Sequence, residues 1–190
     1  MIIGIAGKAQ AGKDTTAMML QSLISHPDIT WDMYWNSDIV YTNNHFIVHF
    51  ADLLKEVAQT MLNMPFEDFN LQEVKQQYLE WLGMTVREFL QKLGTAVRNE
   101  IDPDFWVKAL FNAYVKNVII ADVRFPNEAK AVKDAGGLLI RINRPGAGAG
   151  NHISETALDD YKDFDYIINN EGTLEDLFCK AKDVLEDYFG

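Results

Sequence analysis

The residues best placed to do chemistry form a glycine-rich turn near the start of the chain, residues 7–13, with the sequence GKAQAGK. An apolar run precedes this turn and a segment of helical periodicity follows it, so the turn connects a buried strand to a helix. The G-x-x-x-x-G-K spacing lets backbone N–H groups converge on phosphate oxygens, and Lys13 can reach the terminal phosphates. This context predicts a P-loop that holds the phosphates of ATP or a related nucleoside triphosphate.

The residue after Lys13, normally Ser or Thr for magnesium, is Asp14. Asp14 is either a magnesium-side carboxylate, direct or through water, or a first-turn acid that the helix dipole favours. Thr15 is the better hydroxyl partner for the metal or a phosphate. The predicted triphosphate-binding residues are Gly7, Lys8, Ala11, Gly12, Lys13, Asp14, Thr15 and Thr16.

Two further candidates lie at the end of the apolar run at residues 117–122 and just after it. Asp122 ends this run, where a second carboxylate can orient the magnesium shell beside a P-loop. Arg124 puts a guanidinium at the carboxyl end of the same strand, where ligands bind in open α/β sheets. The alternative for Arg124 is a surface salt bridge.

A polar stripe is predicted on the helix at residues 85–100. Arg87, Gln91, Gly94 and Arg98 are spaced by four, three and four residues and therefore share one face. Such a face normally meets solvent. The glycine costs helix stability, however, which suggests close approach by a ligand or another backbone.

The elements that must position these residues alternate between short apolar strands and helices, which is the pattern of an α/β protein. Strands are expected at 2–6, 46–50, 117–122, 138–143 and 166–168, and helices at 13–24, 52–62, 85–100, 104–114, 127–135 and 174–189. We expect one domain spanning 1–190, a three-layer α/β/α P-loop fold. Its mainly parallel five-stranded sheet should have the order 2-3-1-4-5, with the P-loop after the first strand.

Two segments do not fit this scheme. Residues 26–44 are polar and aromatic and are compatible with a loop, a hairpin or a contact surface. Residues 144–163 begin with Arg144 and contain Gly146, Gly148 and Gly150, which makes them a candidate lid. A lid at this place would exclude water from the γ phosphate of a bound triphosphate and bring Arg144 to it. The alternative is an ordinary surface loop.

Composition restricts the class of partner. The net charge of −11, from 17 basic and 28 acidic residues, argues against broad binding to nucleic acid or to anionic membranes. One cysteine cannot form an internal disulfide, and no apolar run approaches the length of a membrane span. We therefore expect a cytoplasmic protein with small-molecule partners, and its state as monomer or homodimer stays open.

Several blocks of the chain resemble, in order, those of the bacteriophage deoxynucleoside monophosphate kinases. The matching blocks are residues 7–15 (GKAQAGKDT), 50–55 (FADLLK), 87–106 (REFLQKLGTAVRNEIDPDFW), 122–129 (DVRFPNEA) and 152–155 (HISE). Residues 26–44 have no counterpart. The resemblance implies a P-loop kinase that uses ATP and Mg²⁺ to phosphorylate a deoxynucleoside 5′-monophosphate, in the host cytoplasm if it is phage-encoded.

The resemblance also implies roles for individual residues. Lys13 would clamp the triphosphate, while Asp14, Thr15 and Asp122 would serve the metal. Residues 52–114 would form a substrate-binding helical region. The residues implied for the acceptor are Arg98 and Arg124, with Arg87, Asp52, Lys55, Gln91, Trp106, Asn127, Glu128, His152 and Glu155 as further candidates. For Trp106 a place in the core is the alternative, and Lys55 is equally compatible with a solvated position.

Two other functions stay open on the sequence alone. One is a P-loop kinase for another small phosphorylated metabolite, and the other is a switch protein that hydrolyses ATP without an acceptor. Acceptor dependence separates them, and the arginines outside the P-loop favour the deoxynucleotide kinase.

Overall fold

The computed structural model describes residues 1–37, 45–114, 116–148 and 155–190. The strands are β1 (Ile2–Ala6), β2 (Phe46–Val48), β3 (Tyr78–Leu79), β4 (Met84–Thr85), β5 (Val118–Val123), β6 (Leu138–Asn143) and β7 (Tyr166–Asn169). The helices are α1 (Lys13–Ser25), α2 (Trp31–Asn36), α3 (Phe50–Leu62), α4 (Gln72–Gln76), α5 (Val86–Glu100), α6 (Phe105–Ala113), α7 (Pro126–Asp134) and α8 (Leu174–Phe189), with a 3-10 helix at Phe66–Asn70.

These elements form two compact units. The first unit contains Met1–His49 and Tyr114–Gly190, and the second unit contains Phe50–Ala113.

The first unit is built on a five-stranded sheet with the strand order β2-β5-β1-β6-β7. Every neighbouring pair in this sheet is parallel. Counted along the chain within the sheet, the order is 2-3-1-4-5, so the predicted topology is confirmed. The strand that leads into the glycine-rich turn lies at the centre, where both of its neighbours present their carboxyl ends to the turn.

Helices cover both faces of this sheet. Ile3 and Ile5 of β1 pack in a core with α1 and α8 residues such as Leu20 and Phe178. Gly4 points to the opposite face, because successive strand residues alternate between faces. A Cβ on Gly4 would lie 2.9 Å from the Val132 side chain of α7. The expected three-layer α/β/α arrangement is therefore present in the first unit.

The residues between α1 and β2 were the least predictable part of this unit. The structure places a short helix, α2, inside the segment 26–44, with Thr30 as its N-cap. Trp31 and Tyr34 of α2 lie against Phe178 of α8, with ring centroids 5.7 and 5.1 Å away. Aromatic packing on the last helix thus explains part of this segment, and residues 38–44 lie outside the described residues.

The second unit is mainly helical. Its core contains Ala58, Phe69, Leu79 and Val86. The β3–β4 hairpin, the 3-10 helix and α4 were not predicted, because elements of two to five residues carry too few apolar positions to show a period. Helix α5 begins with a capping box: the Thr85 side chain accepts from Glu88 N–H, and the Glu88 side chain accepts from Thr85 N–H.

In the described ranges of the chain, no helix combines the length and the apolar character needed to cross a membrane.

Candidate functional site

The glycine-rich turn between β1 and α1 has a backbone that side chains would distort. Gly12 has φ 102° and ψ 19°, in the left-handed region that favours glycine. A Cβ on Gly7 would lie 2.6 Å from the Ile142 backbone oxygen, so only glycine fits this close approach to β6. Asn170, which follows β7, donates from Nδ2 to the Ala11 oxygen at 2.9 Å. The turn is therefore held by backbone geometry and by both strands on that side of the sheet.

Lys13 begins α1 and is buried, with 7% of its surface exposed. Its Nζ donates to the Lys8 backbone oxygen at 2.8 Å, so the ammonium lies over the turn. Burial lowers the pKa of Lys13 below its usual 10.5, and Arg124 lowers it further, while Asp14, Glu155 and Asp122 raise it. The first helical residue thus carries a partly desolvated cation surrounded by charged groups.

Asp122 and Arg124 reach the turn through the sheet register. Ala6 of β1 pairs with Val123 of β5, so the end of β5 lies beside the start of the turn. Asp122 is buried, with 6% exposure. Arg124 is about two-fifths exposed and lies 3.5 Å from Glu155, measured from Nη1 to Oε1. The structure thus brings together Lys13, Asp122 and Arg124.

Asp14 has a partner that sequence reasoning missed. His49 Nε2 lies 2.9 Å from Asp14 Oδ1. This hydrogen bond is the main reason that the pKa of Asp14 lies below its usual 3.8. His49 directly follows β2, at the same edge of the sheet as the turn, and this position was the signal available in the sequence. The contact keeps Asp14 ionised beside Lys13.

The chain after β6 returns to the outer side of the turn. Glu155 Oε2 accepts from Ala9 N–H at 2.7 Å, and Gly148 N–H donates to the Ala9 oxygen at 3.0 Å. Lys8 pairs with Asp159 at 3.2 Å. Both backbone groups of Ala9 are therefore engaged by the segment 144–163. The proposed role of this segment as a lid stays a prediction, and its residues 149–154 lie outside the described residues.

The two arginines at the end of β6 have different surroundings. Arg141 donates to the Leu158 oxygen at 2.6 Å, pairs with Asp159 at 3.1 Å and lies over the Phe164 ring at 5.3 Å. Arg144 Nη1 lies 3.5 Å from the Gln10 oxygen, a long contact. A cavity of about 330 Å³ beside the turn is lined by Lys8, Arg141, Ile142, Asn143, Arg144, Pro145, Ala147 and Glu171.

The predicted acceptor residues at 52–106 all lie in the second unit. Lys55 is bound to Asp52 at 2.9 Å and to Asn70 Oδ1 at 3.0 Å. Lys55 is therefore held by neighbouring polar groups within this unit, and is not simply solvated. Arg87 Nη2 donates to Gln72 Oε1 at 2.7 Å. Arg98 is half-buried and Gln91 is exposed, both on α5. Their roles toward an acceptor stay predictions.

Gly94 and Trp106 are in direct contact within the second unit. Trp106 is buried and donates from Nε1 to the Gly94 oxygen at 3.2 Å. A Cβ on Gly94 would lie 3.3 Å from Leu54 Cδ2 of α3. The close approach expected at this glycine is therefore made by side chains of the second unit, and Trp106 takes the core position that was its alternative.

The residues after β5 shape the start of α7. Glu128 is buried and accepts from Arg124 N–H at 2.7 Å and from Phe125 N–H at 3.0 Å. It therefore fixes the backbone that carries Arg124. Asn127 lies in the first turn of the same helix, and its predicted contact with the acceptor stays a prediction. His152 lies outside the described residues.

Within the part of the chain that the structure describes, no three His, Cys, Asp or Glu side chains cluster as a metal site. Mg²⁺ beside phosphates usually takes only one or two carboxylates and fills its remaining positions with water and phosphate oxygens. The oxygen donors Asp14, Thr15 and Asp122 at this end of the sheet fit a site of that kind.

The glycine-rich turn follows the central strand, and an acid and an arginine lie at the end of the neighbouring strand. This combination places the protein in the class of P-loop kinases. The fold agrees with that of shikimate kinase from Acinetobacter baumannii, at a TM-score of 0.52 over 98% of this chain and 93% of that chain, with 13% identity. The chain belongs to the deoxynucleotide monophosphate kinase family, whose model matches residues 24–181. The predicted resemblance is thereby confirmed.

Two viral relatives carry the family name. A protein of Acanthamoeba polyphaga mimivirus, provisionally named a deoxynucleotide monophosphate kinase, is 34% identical over 69% of this chain and 78% of its own length. The deoxynucleotide monophosphate kinase of Enterobacteria phage T4 is 35% identical over 54% of this chain. The match spans 46% of the T4 protein, less than half of that relative.

Proposed function

We propose that this protein transfers the γ-phosphoryl group of ATP to a deoxynucleoside 5′-monophosphate, giving ADP and the deoxynucleoside diphosphate. The observation that carries this proposal is the convergence of Lys13, Asp122 and Arg124 on one turn, in a chain of this family. A P-loop alone holds a triphosphate. The additional guanidinium supplies a group that can fix a second anion beside it.

The reaction we propose is a direct in-line displacement. An oxygen of the acceptor phosphate forms a bond to the γ phosphorus while the bond to the β-γ bridging oxygen breaks, and ADP leaves. The acceptor phosphate is already anionic, so alignment matters more than a general base. Lys13 would stabilise charge on the donor phosphates, and Arg124 would hold the acceptor phosphate. Arg98 and Arg87 stay predicted acceptor ligands.

Magnesium belongs to this proposal. Asp122, Asp14 and Thr15 would hold it, directly or through water, and the ion would neutralise charge on the donor phosphates when bound. His49 would keep the Asp14 carboxylate ionised and in place. We expect this activity in the cytoplasm, which is the host cytoplasm if the protein is phage-encoded.

A screen of nucleoside monophosphates tests the proposal. Purified protein is given ATP and Mg²⁺ with each common deoxynucleoside and ribonucleoside monophosphate, and ADP release and product formation are measured. We expect ADP release to rise sharply with one or more deoxynucleoside monophosphates. ADP release that rises only with another phosphorylated metabolite would support a P-loop kinase for that metabolite. ADP release that no acceptor changes would support a switch protein that hydrolyses ATP.

The Lys13→Ala variant links this activity to the turn. Loss of electrostatic stabilisation of the transferring phosphate should lower turnover on the order of 10²-fold or more. Circular dichroism checks that the variant folds, and Lys182→Ala, on α8, is the matched control. Near-normal turnover in a folded Lys13→Ala protein would contradict the assignment.

A further inference from the structure

A nearly buried carboxylate lies on the predicted phosphate turn. Glu155 Oε2 accepts from Ala9 N–H at 2.7 Å, and Glu155 Oε1 lies 3.5 Å from Arg124 Nη1. Only 8% of its side chain is exposed. A backbone N–H of a glycine-rich turn and a guanidinium are the donors that a phosphate oxygen would use, so Glu155 is bound here as an anionic ligand would be.

The cation of the turn is engaged internally as well. Lys13 donates to the Lys8 backbone oxygen at 2.8 Å, and Glu155 is one of the anions acting on its charge. Ala9 N–H and Lys13, which both belong to the turn, therefore have oxygens of the chain itself as partners. These are substitutes that a triphosphate could replace, because its oxygens carry more charge than a single carboxylate.

We propose that Glu155 is an internal anion that occupies the phosphate turn of the ligand-free protein and that the donor nucleotide must displace. Glu155 thereby sets the affinity for the donor. This inference rests on the proposed function, since it takes the turn as the donor site. Its physical basis is like-charge repulsion, because a carboxylate with little exposure and the phosphates of ATP cannot share the same donors without a large electrostatic cost.

A brace that holds Arg124 and Ala9 in their working positions is the alternative role for Glu155. The two roles differ in sign. Neutralising a competing anion strengthens donor binding, whereas removing a brace weakens it or leaves it unchanged.

The test measures the dissociation constant of a non-hydrolysable ATP analogue with Mg²⁺, by calorimetry on the full chain. Glu155→Gln keeps an oxygen for Ala9 N–H but loses the charge, and neutral hydrogen bonds are roughly half as strong as charge-assisted ones. We expect this variant to bind the analogue on the order of tenfold more tightly than wild type. Asp160→Asn removes the same charge from an exposed position five residues along and should bind as wild type does.

Two further measurements separate the possible results. Glu155→Asp keeps the charge, but its shorter side chain withdraws the carboxylate from Ala9 N–H. This variant should also bind the ATP analogue more tightly than wild type, and it replaces Glu155→Gln in the test if Glu155→Gln does not fold. Inorganic tripolyphosphate should show the same ranking, because displacement involves only the phosphates. Unchanged or weaker binding by folded Glu155 variants, in a wild-type enzyme that phosphorylates its acceptor, would overturn this inference alone. A wild-type protein that binds no ATP would overturn the proposed function first.

Discussion

Two arginines near the carboxyl end of β6 differ in how their guanidinium groups are held. Arg141 is held by a carbonyl, a carboxylate and an aromatic ring, while Arg144 has a long contact, 3.5 Å, to the Gln10 oxygen. The same side chain is therefore a structural tie at one position and a candidate phosphate ligand at the other.

Alanine variants at these positions should separate stability from catalysis. Arg141→Ala should lower the free energy of unfolding by about 1–3 kcal/mol, because the partly buried Leu158 oxygen loses its donor. Arg144→Ala should leave stability nearly unchanged and lower turnover far more than ATP affinity, since we expect Arg144 to act on the transferring phosphoryl group. Urea unfolding and steady-state kinetics measure the two effects. Small, equal effects of both variants on turnover would contradict the role of Arg144.

The conformation of the P-loop turn depends on glycine at position 7. Gly7 and Gly136 both have positive φ, at +154° and +69°, but they differ in what surrounds them. A Cβ on Gly7 meets the Ile142 backbone oxygen, whereas a Cβ on Gly136 meets nothing within 4 Å.

Gly136→Ala is therefore the matched control for Gly7→Ala. The control should cost about 1–2 kcal/mol of stability through backbone strain and leave ATP binding intact. Gly7→Ala should cost more and weaken ATP binding at least tenfold, because the turn must move away from β6. Unfolding curves and calorimetry give both quantities, and equal behaviour of the two variants would contradict the backbone contact.

The start of α8 gives a prediction that depends on pH. Asp176 accepts from Thr173 N–H and Oγ1 at 2.7 and 2.8 Å, and mainly the backbone bond lowers the pKa of Asp176 below 3.8. A lowered carboxylate pKa stabilises the fold above pH 3.8, and this contribution is lost as pH falls through the folded pKa. Wild type should therefore be more stable than Asp176→Asn at pH 7, and the difference should shrink in acid. Urea unfolding from pH 7 to pH 3 measures it; a difference that grows in acid would contradict this account.

The sequence predicted the elements that have a clear period and missed those that do not. The five sheet strands followed from short apolar runs separated by helical sequence. The contact of His49 with Asp14, and that of Glu155 with Ala9, could not be derived, because each joins residues that are remote in the chain. Only the sheet register and the path of the chain after β6 bring them together.

For the whole molecule, the candidate residues divide between the two compact units. Lys13, Asp122 and Arg124 belong to the first unit, and Arg87 and Arg98 belong to the second unit. Under the proposed function, the first unit binds the donor, and Arg87 and Arg98 of the second unit stay predicted acceptor ligands.

Arg98→Ala tests this division. Loss of a guanidinium from the acceptor phosphate should raise the KM for the deoxynucleoside monophosphate by on the order of tenfold and leave the dissociation constant for ATP unchanged. Steady-state kinetics and calorimetry measure the two constants. Lys92→Ala, an exposed cation on the same helix, should change neither. An equal loss of ATP affinity in Arg98→Ala would contradict the division.

The central position of β1 has a consequence for biosynthesis. Both strands that flank β1 are translated long after it, and the ammonium group of Met1 bonds to Asn117, 116 positions further along the chain. At bacterial and eukaryotic elongation rates this interval is on the order of ten seconds. During translation, β1 must therefore remain unpaired until β5 and β6 have been made. The residues Phe50–Ala113 are completed earlier and can fold before the sheet forms around β1.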